Sequence, residues 1–272
     1  MIVSLARTLA GLALAATALA HAAPPDAPDP GFYHQRIGRL QVTALFDGVV
    51  HLPRTQVRNL DRAEIDRLLD HRYVPEDGQG LQTAVTAYLV QDGGHLSLVD
   101  TGTANCFGPG LGQVLAHLRA AGYDPAQVDD VLLTHAHPDH LCGLLDPQGH
   151  AAYPRATVWL SAADAAYWLD PASEAGAPAP LKPLFAMART AVAPYQAQAR
   201  LKRFGPDDAL PAGVAALDSH GHTPGHVSYR FDGGNGRTLL VWGDVVHFHA
   251  LQFARPQAAF EADSDRAAAT RL

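Results

Sequence analysis

The sequence VLLTHAHPDH at residues 131–140 decides both the fold and the chemistry expected of this chain. Its three leading apolar residues predict a buried strand, and at strand spacing His135 and His137 point to the same side. The proline that follows ends the strand, and the turn brings Asp139 and His140 round to a second, adjacent position. Imidazole and carboxylate together suit zinc, although iron, manganese and cobalt accept the same donors. The stretch therefore predicts a two-metal site rather than a histidine-rich surface loop.

Two further motifs follow predicted strands. The sequence SHGHTPGH at 219–226 contains His220, His222 and His226, one of which should complete the shell of the first metal. The others are expected to orient ligands or close the loop by hydrogen bonds. Asp244 follows the apolar run 239–242, where a carboxylate is costly unless cations neutralise it. Asp244 is thus predicted to bridge two metal ions, the alternative being the N-cap of a helix.

Composition limits the class of protein. The chain has 272 residues, 47% of them hydrophobic, as in ordinary globular proteins. Its 20 Lys and Arg against 27 Asp and Glu leave a net charge of -7, which argues against a nucleic-acid partner. The two cysteines, Cys106 and Cys142, exclude a disulfide framework and a thiolate zinc cluster. The sequence leaves open whether they pair with each other.

The first 22 residues have the pattern of a signal peptide. Arg7 precedes the apolar run 9–20, and Ala20-His21-Ala22 has the small-x-small form of a cleavage site. The run is short for a membrane span, so we expect a periplasmic or secreted protein without a stable membrane anchor, the alternative being an uncleaved anchor. An extended segment is predicted at 23–36 and a hydrolase domain at 37–272. The last residues read as the middle of a helix, which predicts a domain incomplete at its C-terminus.

Strand and helix patterns alternate along the domain and predict an α/β fold. Helices are expected after Asp61 and Ser161, which begin capping patterns, and a loop is expected at the proline-rich stretch 171–183. A strand is predicted at 39–50, with Asp47-Gly48 as a turn. Further strands are predicted at the following ranges: 84–90, 95–99, 128–134, 214–219 and 238–242.

Taken together, the three motifs resemble the metallo-β-lactamase fold superfamily. Within it, several stretches are similar to the bacterial methyl parathion hydrolases: TALFDG at 43–48, LVDTG at 98–102, FGP at 107–109, QF at 252–253 and DSD at 263–265. The resemblance implies an αβ/βα sandwich with two divalent metal ions at the edge of its paired sheets, zinc being favoured. It also implies a homodimer.

The resemblance assigns roles residue by residue. It implies that one metal is held by His135, His137 and His222, that the second is held by Asp139 and His140, and that Asp244 bridges them. Because it selects His222 as the ligand of its motif, the supporting role falls to His220 and His226. The family also uses a further histidine well beyond the bridging aspartate. His247 and His249 follow too closely for that role, although His249 could substitute. The second site is therefore expected to be one ligand short.

Three aromatic residues resemble positions that line the pocket for the leaving group of the substrate in the methyl parathion hydrolases: Phe107, Trp168 and Phe185. From residue type alone, such side chains are mostly core. Phe107 lies in a Gly/Pro-rich loop, and loops carry function more often than core. We expect Phe107 to be the most exposed of the three.

These features predict a dinuclear metal-dependent hydrolase that acts on a small-molecule substrate. A hydroxide bridging the two metals would attack an organophosphate triester, a lactone or an aryl ester, with Asp139 as the catalytic residue that orients it and takes up its proton. One alternative is a weakly active or inactive metal-binding remnant. Another is an iron-dependent oxidoreductase on the same fold.

Overall fold

A computed structural model describes residues 30–74 and 78–269 of the chain. The predicted signal peptide at 1–22 lies outside these residues. None of the helices in the described ranges combines the length and apolar character needed to cross a lipid bilayer. The first described strand begins at Phe32, so the sheet starts inside the extended segment predicted at 23–36.

The described residues form twelve strands and eight α-helices. The strands are β1 (Phe32–Ile37), β2 (Leu40–Leu52), β3 (Val57–Arg58), β4 (Leu81–Asp92), β5 (His95–Val99), β6 (Asp130–Leu132), β7 (Thr157–Ser161), β8 (Leu201–Phe204), β9 (Val214–Asp218), β10 (Val227–Gly234), β11 (Arg237–Val241) and β12 (Ala259–Phe260). The helices are α1 (Arg62–His71), α2 (Val114–Ala120), α3 (Pro138–Leu141), α4 (Ala162–Trp168), α5 (Pro171–Gly176), α6 (Lys182–Ala197), α7 (His249–Gln252) and α8 (Arg266–Ala269).

A seven-stranded mixed sheet has the order β1-β2-β4-β5-β6-β7-β8. Its first four strands pair antiparallel, and β5 through β8 pair parallel. A three-stranded antiparallel sheet has the order β11-β10-β9, and β3 pairs with β12. Because parallel strands end at the same edge, the loops after β5, β6 and β7 lie side by side.

The large sheet is buried on both faces. Neighbouring residues of β6 show this: Val131 packs in the core shared with the helices, and Leu132 packs in the core shared with the second sheet. Helices α2, α4 and α6 contribute Leu118, Trp168 and Phe185 to the first core. Such strands read as continuous apolar runs, which is why 131–133 predicts a buried strand. The predicted α/β class is confirmed.

The predicted turn at Asp47-Gly48 is wrong. Strand β2 continues through it to Leu52, and its pairing with β4 shifts register between Phe46 and Gly48, as in a β-bulge. Asp47 is fully buried, and its carboxylate accepts hydrogen bonds from the loop and helix start at 103–114. The Asp-Gly pair therefore does not form a turn here, and the buried Asp47 carboxylate holds the loop at 103–114 by hydrogen bonds.

The loop predicted at 171–183 is also wrong, because the structure places α5 and the start of α6 there. Asp170 caps α5 by accepting from the N–H groups of Ala172 and Ser173. Pro171 and Pro183 stand in the first turns of the two helices, where a missing N–H leaves no hydrogen bond unmade. The prolines mark helix starts rather than a loop.

Candidate metal centre

Three loops meet at the carboxyl edge of the parallel strands. One runs from β6 into α3, one joins β9 to β10, and one is the turn Gly243–Val245 after β11. The first two are tied together because the Val227 N–H donates to the Thr134 carbonyl at 2.9 Å. Histidines and aspartates that are far apart in sequence therefore face each other.

The first group consists of His135, His137 and His222, whose candidate ligand atoms all lie within 4.8 Å of one another. His222 Nε2 lies 2.8 Å from His137 Nδ1, and the two rings meet edge to face. His135 is fully buried, and its Nε2 has no hydrogen-bond partner among the described residues. An unsatisfied buried nitrogen facing two other imidazoles fits a metal ligand.

The second group consists of Asp139, His140 and Asp244. His140 Nε2 lies 3.1 Å from Asp244 Oδ1 and 3.5 Å from Asp139 Oδ2. The other oxygen of Asp244 lies 3.3 Å from His222 Nε2 and 4.0 Å from His135 Nε2. Asp244 thus lies between the two groups.

Burial and neighbouring charges set the protonation of both groups. Burial lowers the pKa of His135 and of His222 well below the usual range, and it lowers the pKa of His137 to about 4. Burial acts the same way on His140, but the carboxylates led by Asp244 overcome it and raise the pKa of His140 well above the usual range. Burial opposes ionisation of Asp244, yet His140 holds the pKa of Asp244 well below its usual range. In the first group, neutral imidazoles face an ionised carboxylate, which is the state of the donors that a divalent cation binds, whereas His140 must lose its proton to bind one.

Two buried carboxylates hold the outer nitrogens of the histidines. Asp100 Oδ2 lies 2.8 Å from His140 Nδ1, and Asp263 Oδ1 lies 3.0 Å from His222 Nδ1. Both contacts leave the Nε2 atom of the histidine free to face the cluster. Asp100 and Asp263 lie in stretches that the resemblance covers, but no role was predicted for them. Asp100 follows an apolar strand as Asp244 does, and that signal could have identified it.

His226, predicted to support the ligands, contacts the cluster through Asp244. Its Nε2 accepts the N–H of Asp244 at 3.0 Å, and its Nδ1 lies 2.8 Å from Ser219 Oγ. Burial lowers the pKa of His226 to about 3, which keeps the ring neutral and able to accept. The same role predicted for His220 is wrong, because that side chain is half-exposed and faces the exposed Asp218. The glycine after His220 turns the chain, so neighbouring histidines diverge.

His247 lies in the cluster, contrary to the expectation that it follows Asp244 too closely. Its Nε2 is 3.5 Å from Asp244 Oδ2, and its ring lies against those of His222 and Phe260. Only 8% of its side chain is exposed, and neither ring nitrogen has a hydrogen-bond partner among the described residues. His249, predicted to be the possible substitute, is instead exposed on α7.

The three predicted pocket residues differ in exposure. Phe107 is 46% exposed, whereas Trp168 is 3% exposed and Phe185 is fully buried. Trp168 packs its ring against Phe185 on one side and meets the edge of His137, 4.9 Å between centroids. The prediction that Phe185 lines the substrate pocket is therefore wrong, because this residue packs in the core between the large sheet and the helices. Trp168 lies in the same core and contacts the cluster from there.

Two contacts fix the loop that carries Phe107. Cys106 and Cys142 form a disulfide, which answers the pairing question that the sequence left open. Asp47 accepts from the N–H groups of Thr103 and Gly112 at the two ends of the loop. Phe107 is thus an exposed apolar side chain on a tethered loop.

Comparison with known proteins agrees with this geometry. The family model described as the metallo-beta-lactamase superfamily matches residues 81–266. Among solved structures, the hydrolase AbOPH of the beta lactamase superfamily is 39% identical with a TM-score of 0.84, covering 88% of this chain and 82% of its own. AidC, a dizinc quorum-quenching lactonase, is 26% identical with a TM-score of 0.78, covering 88% of this chain and 83% of its own. A probable metal-dependent hydrolase from Staphylococcus aureus is 18% identical with a TM-score of 0.72, covering 87% of this chain and 83% of its own, and it shows the fold alone.

A search of curated proteins found no match. The family model nevertheless covers more than half of the chain, and AbOPH exceeds 30% identity over most of it. The chain is therefore a metal-dependent hydrolase that belongs to the metallo-beta-lactamase superfamily.

Proposed function

We propose that the chain is a dinuclear metal-dependent hydrolase that cleaves an ester-type bond in a small molecule. The position of Asp244 is the main observation that supports this proposal. One of its oxygens faces His140 at 3.1 Å and the other faces His222 at 3.3 Å, so a single carboxylate lies between two sets of donors. AidC, which is described as dizinc, supports two zinc ions in such a site.

The residues divide into two donor sets. The first set would hold one ion through the imidazoles of His135, His137 and His222. The second set would hold the other ion through Asp139 and His140, and Asp244 would be shared by both. When bound, the ions supply a water nucleophile activated at neutral pH and polarise the electrophilic centre of the substrate.

Asp139 is proposed to be the catalytic residue. Burial opposes its ionisation, and in the metal-free protein the neighbouring His140 lowers the pKa of Asp139. Its side chain is 25% exposed, more than that of His140, so it can accept a proton from water entering the site. The carboxylate would orient the nucleophile and take up its proton.

The substrate class is proposed to be an organophosphate triester, a lactone or an aryl ester. AidC is a lactonase, whereas the similarity to methyl parathion hydrolases stays a prediction from the sequence and favours the triester. Phe107 offers an apolar surface for the leaving group because it is exposed on the tethered loop. We also propose that the protein is periplasmic or secreted, which the disulfide supports because such bonds persist in oxidising compartments.

The test combines metal analysis with a substrate panel. Purified protein is expected to contain about two zinc ions per chain and to hydrolyse at least one of three probes: a chromogenic aryl phosphotriester, an acyl homoserine lactone and an aryl acetate. The substitution Phe107→Ala should raise KM for the aryl substrates more than for the lactone. Folded, zinc-loaded protein that cleaves none of the three probes would contradict the proposal. Iron as the native metal together with redox activity would favour the oxidoreductase alternative.

A further inference from the structure

A buried carboxylate outside the cluster joins the two loops that carry its histidines. Asp164 lies in the first turn of α4 and is fully buried. One of its oxygens accepts the N–H of Ala136 at 2.7 Å, and the other accepts the N–H of Gly225 at 2.8 Å. Ala136 stands between His135 and His137, and Gly225 follows His222 by three residues. One side chain therefore contacts both ligand loops directly.

The residue before α4 makes a further hydrogen bond to the loop between β9 and β10. Ser161 Oγ donates to the carbonyl of Gly225 at 2.6 Å and accepts from the N–H of Asp164 at 3.1 Å. A Cβ at Gly225 would lie 2.2 Å from the backbone nitrogen of Asp164, so the approach of helix and loop requires glycine. The three residues form a small hydrogen-bonded unit that sets the distance between loop and helix.

An ionised carboxylate suits this position better than an amide. Both of its oxygens accept, whereas an asparagine offers one accepting oxygen and would turn its NH₂ group toward the second N–H. Burial nevertheless raises the pKa of Asp164 to about 6, so holding the charge there costs free energy that the two backbone hydrogen bonds must offset. A costly buried charge placed between two ligand loops points to a role beyond stabilising the first turn of α4, whose N-cap is Ser161.

We propose that Asp164 is a positioning residue that sets the spacing of His135 and His137 against His222 and thereby the affinity for metal. This inference rests on the metal binding proposed above. It concerns the geometry of the donors and does not depend on which substrate is cleaved.

The main test is Asp164→Asn in the full chain. We expect zinc affinity, measured by competition with a chromogenic chelator, to fall by about 10- to 100-fold, the range for partners that orient metal ligands. The visible absorption of the cobalt-substituted protein should also change in intensity or position, because the ligands are displaced. A role limited to stabilising the first turn of α4 would lower the melting temperature and leave the cobalt spectrum unchanged.

The matched control is Asp170→Asn. Asp170 caps α5 through the N–H groups of Ala172 and Ser173 and contacts no ligand loop among the described residues. We expect this variant to keep the zinc affinity and cobalt spectrum of the unmodified protein. The proposal is overturned if Asp164→Asn folds and binds zinc as tightly as Asp170→Asn does.

A second variant covers the case in which Asp164→Asn does not fold. Asp164→Glu keeps the charge and adds one methylene, so the two accepting oxygens are displaced relative to the N–H groups of Ala136 and Gly225. It should weaken zinc binding by about 2- to 10-fold, whereas unchanged affinity in the folded variant would overturn the proposal. Protein that binds zinc and cleaves no probe would contradict the proposed function alone, so the two failures are distinguishable.

Discussion

The two ends of the parallel strands both bring histidine and aspartate together, yet they differ in how the polar atoms are satisfied. At the amino ends, Asp130 accepts from His95 Nε2 at 2.7 Å with one oxygen and from Trp159 Nε1 at 2.6 Å with the other. At the carboxyl ends, His135 and His247 keep buried nitrogens that no described residue pairs with, and several imidazoles face Asp244. One end is a closed network of donors and acceptors, and the other has an excess of electron-pair donors.

This difference separates a structural network from a metal site. Histidine and aspartate within bonding distance are common to both ends, so their presence alone does not identify a ligand set. Buried nitrogens without protein partners do identify a ligand set. Leaving such a nitrogen unsatisfied costs about 1–3 kcal/mol unless a bound group such as a metal ion pairs with it. The predictions below test this contrast, beginning with the largest expected effect.

Replacing Asp244 should have the greatest effect. We expect Asp244→Ala to lower kcat/KM by at least about 1,000-fold and to reduce the bound zinc, since the carboxylate faces both donor sets. Enzyme assays and elemental analysis measure the two outcomes. Asp218→Ala, at an exposed partner of His220, is the control and should change neither quantity. Full activity in Asp244→Ala would remove the basis of the proposed function.

Removing the metal should destabilise the whole domain. Zinc at 1,000 times its dissociation constant stabilises the folded state by about 4 kcal/mol, which corresponds to about 10 °C in Tm for a domain of this size. Calorimetry with and without a chelator measures the shift. An identical Tm in both conditions would show that the unpartnered nitrogens do not bind zinc.

Removing the carboxylate behind His222 should weaken the site without abolishing it. Asp263 fixes His222 through its Nδ1, so Asp263→Asn is expected to lower zinc affinity by about 10- to 100-fold. Competition with a chelator measures the affinity. Asp265→Asn, two residues along the same segment, is the matched control, and equal affinities for the two variants would contradict the role given to Asp263.

The metal-free protein should lose stability in mild acid. Burial lowers the pKa of His137 to about 4 and that of His226 to about 3, both below the value of 6.5 for an exposed histidine. The unfolded chain therefore takes up protons first, and stability present above pH 6.5 falls progressively as the pH drops toward 4. Denaturant titrations of the metal-free protein at several pH values measure this. His226→Gln should flatten the dependence, whereas His220→Gln should leave it unchanged.

The smallest effect is expected at the amino ends of the strands. Asp130→Asn should lower the free energy of unfolding by about 1–2 kcal/mol, because it weakens two hydrogen bonds in a closed network. Zinc content and kcat should stay the same. A loss of zinc in this variant would mean that the two ends of the strands are coupled, against the contrast drawn above.

The core of the site was predictable because its residues are close together in sequence. His135, His137, Asp139 and His140 lie within six residues after a recognisable strand, and the structure brings them together as expected. Their placement follows from strand geometry and one turn, both of which are local properties. The α/β class was predictable for the same reason, since it depends on local periodicity.

The supporting residues were not predictable in this way. Asp164, Asp263 and His247 reach the site through tertiary contacts with distant loops, which no local pattern records. Asp47 shows the same limit, because its role in the loop at 103–114 overrides the turn that Asp-Gly favours. Local propensity identifies the donors, and long-range packing decides what orients them.

The bond between Cys106 and Cys142 has a practical consequence for any biochemical work on this protein. The two cysteines are 36 positions apart, the ring that they close contains the first ligand loop, and Cys142 lies two residues after His140. A thiol reagent added during purification would open that ring and would also compete for zinc through its own sulfur. Titrations in such a buffer would mix two changes, so samples kept oxidised are the ones whose metal stoichiometry can be interpreted.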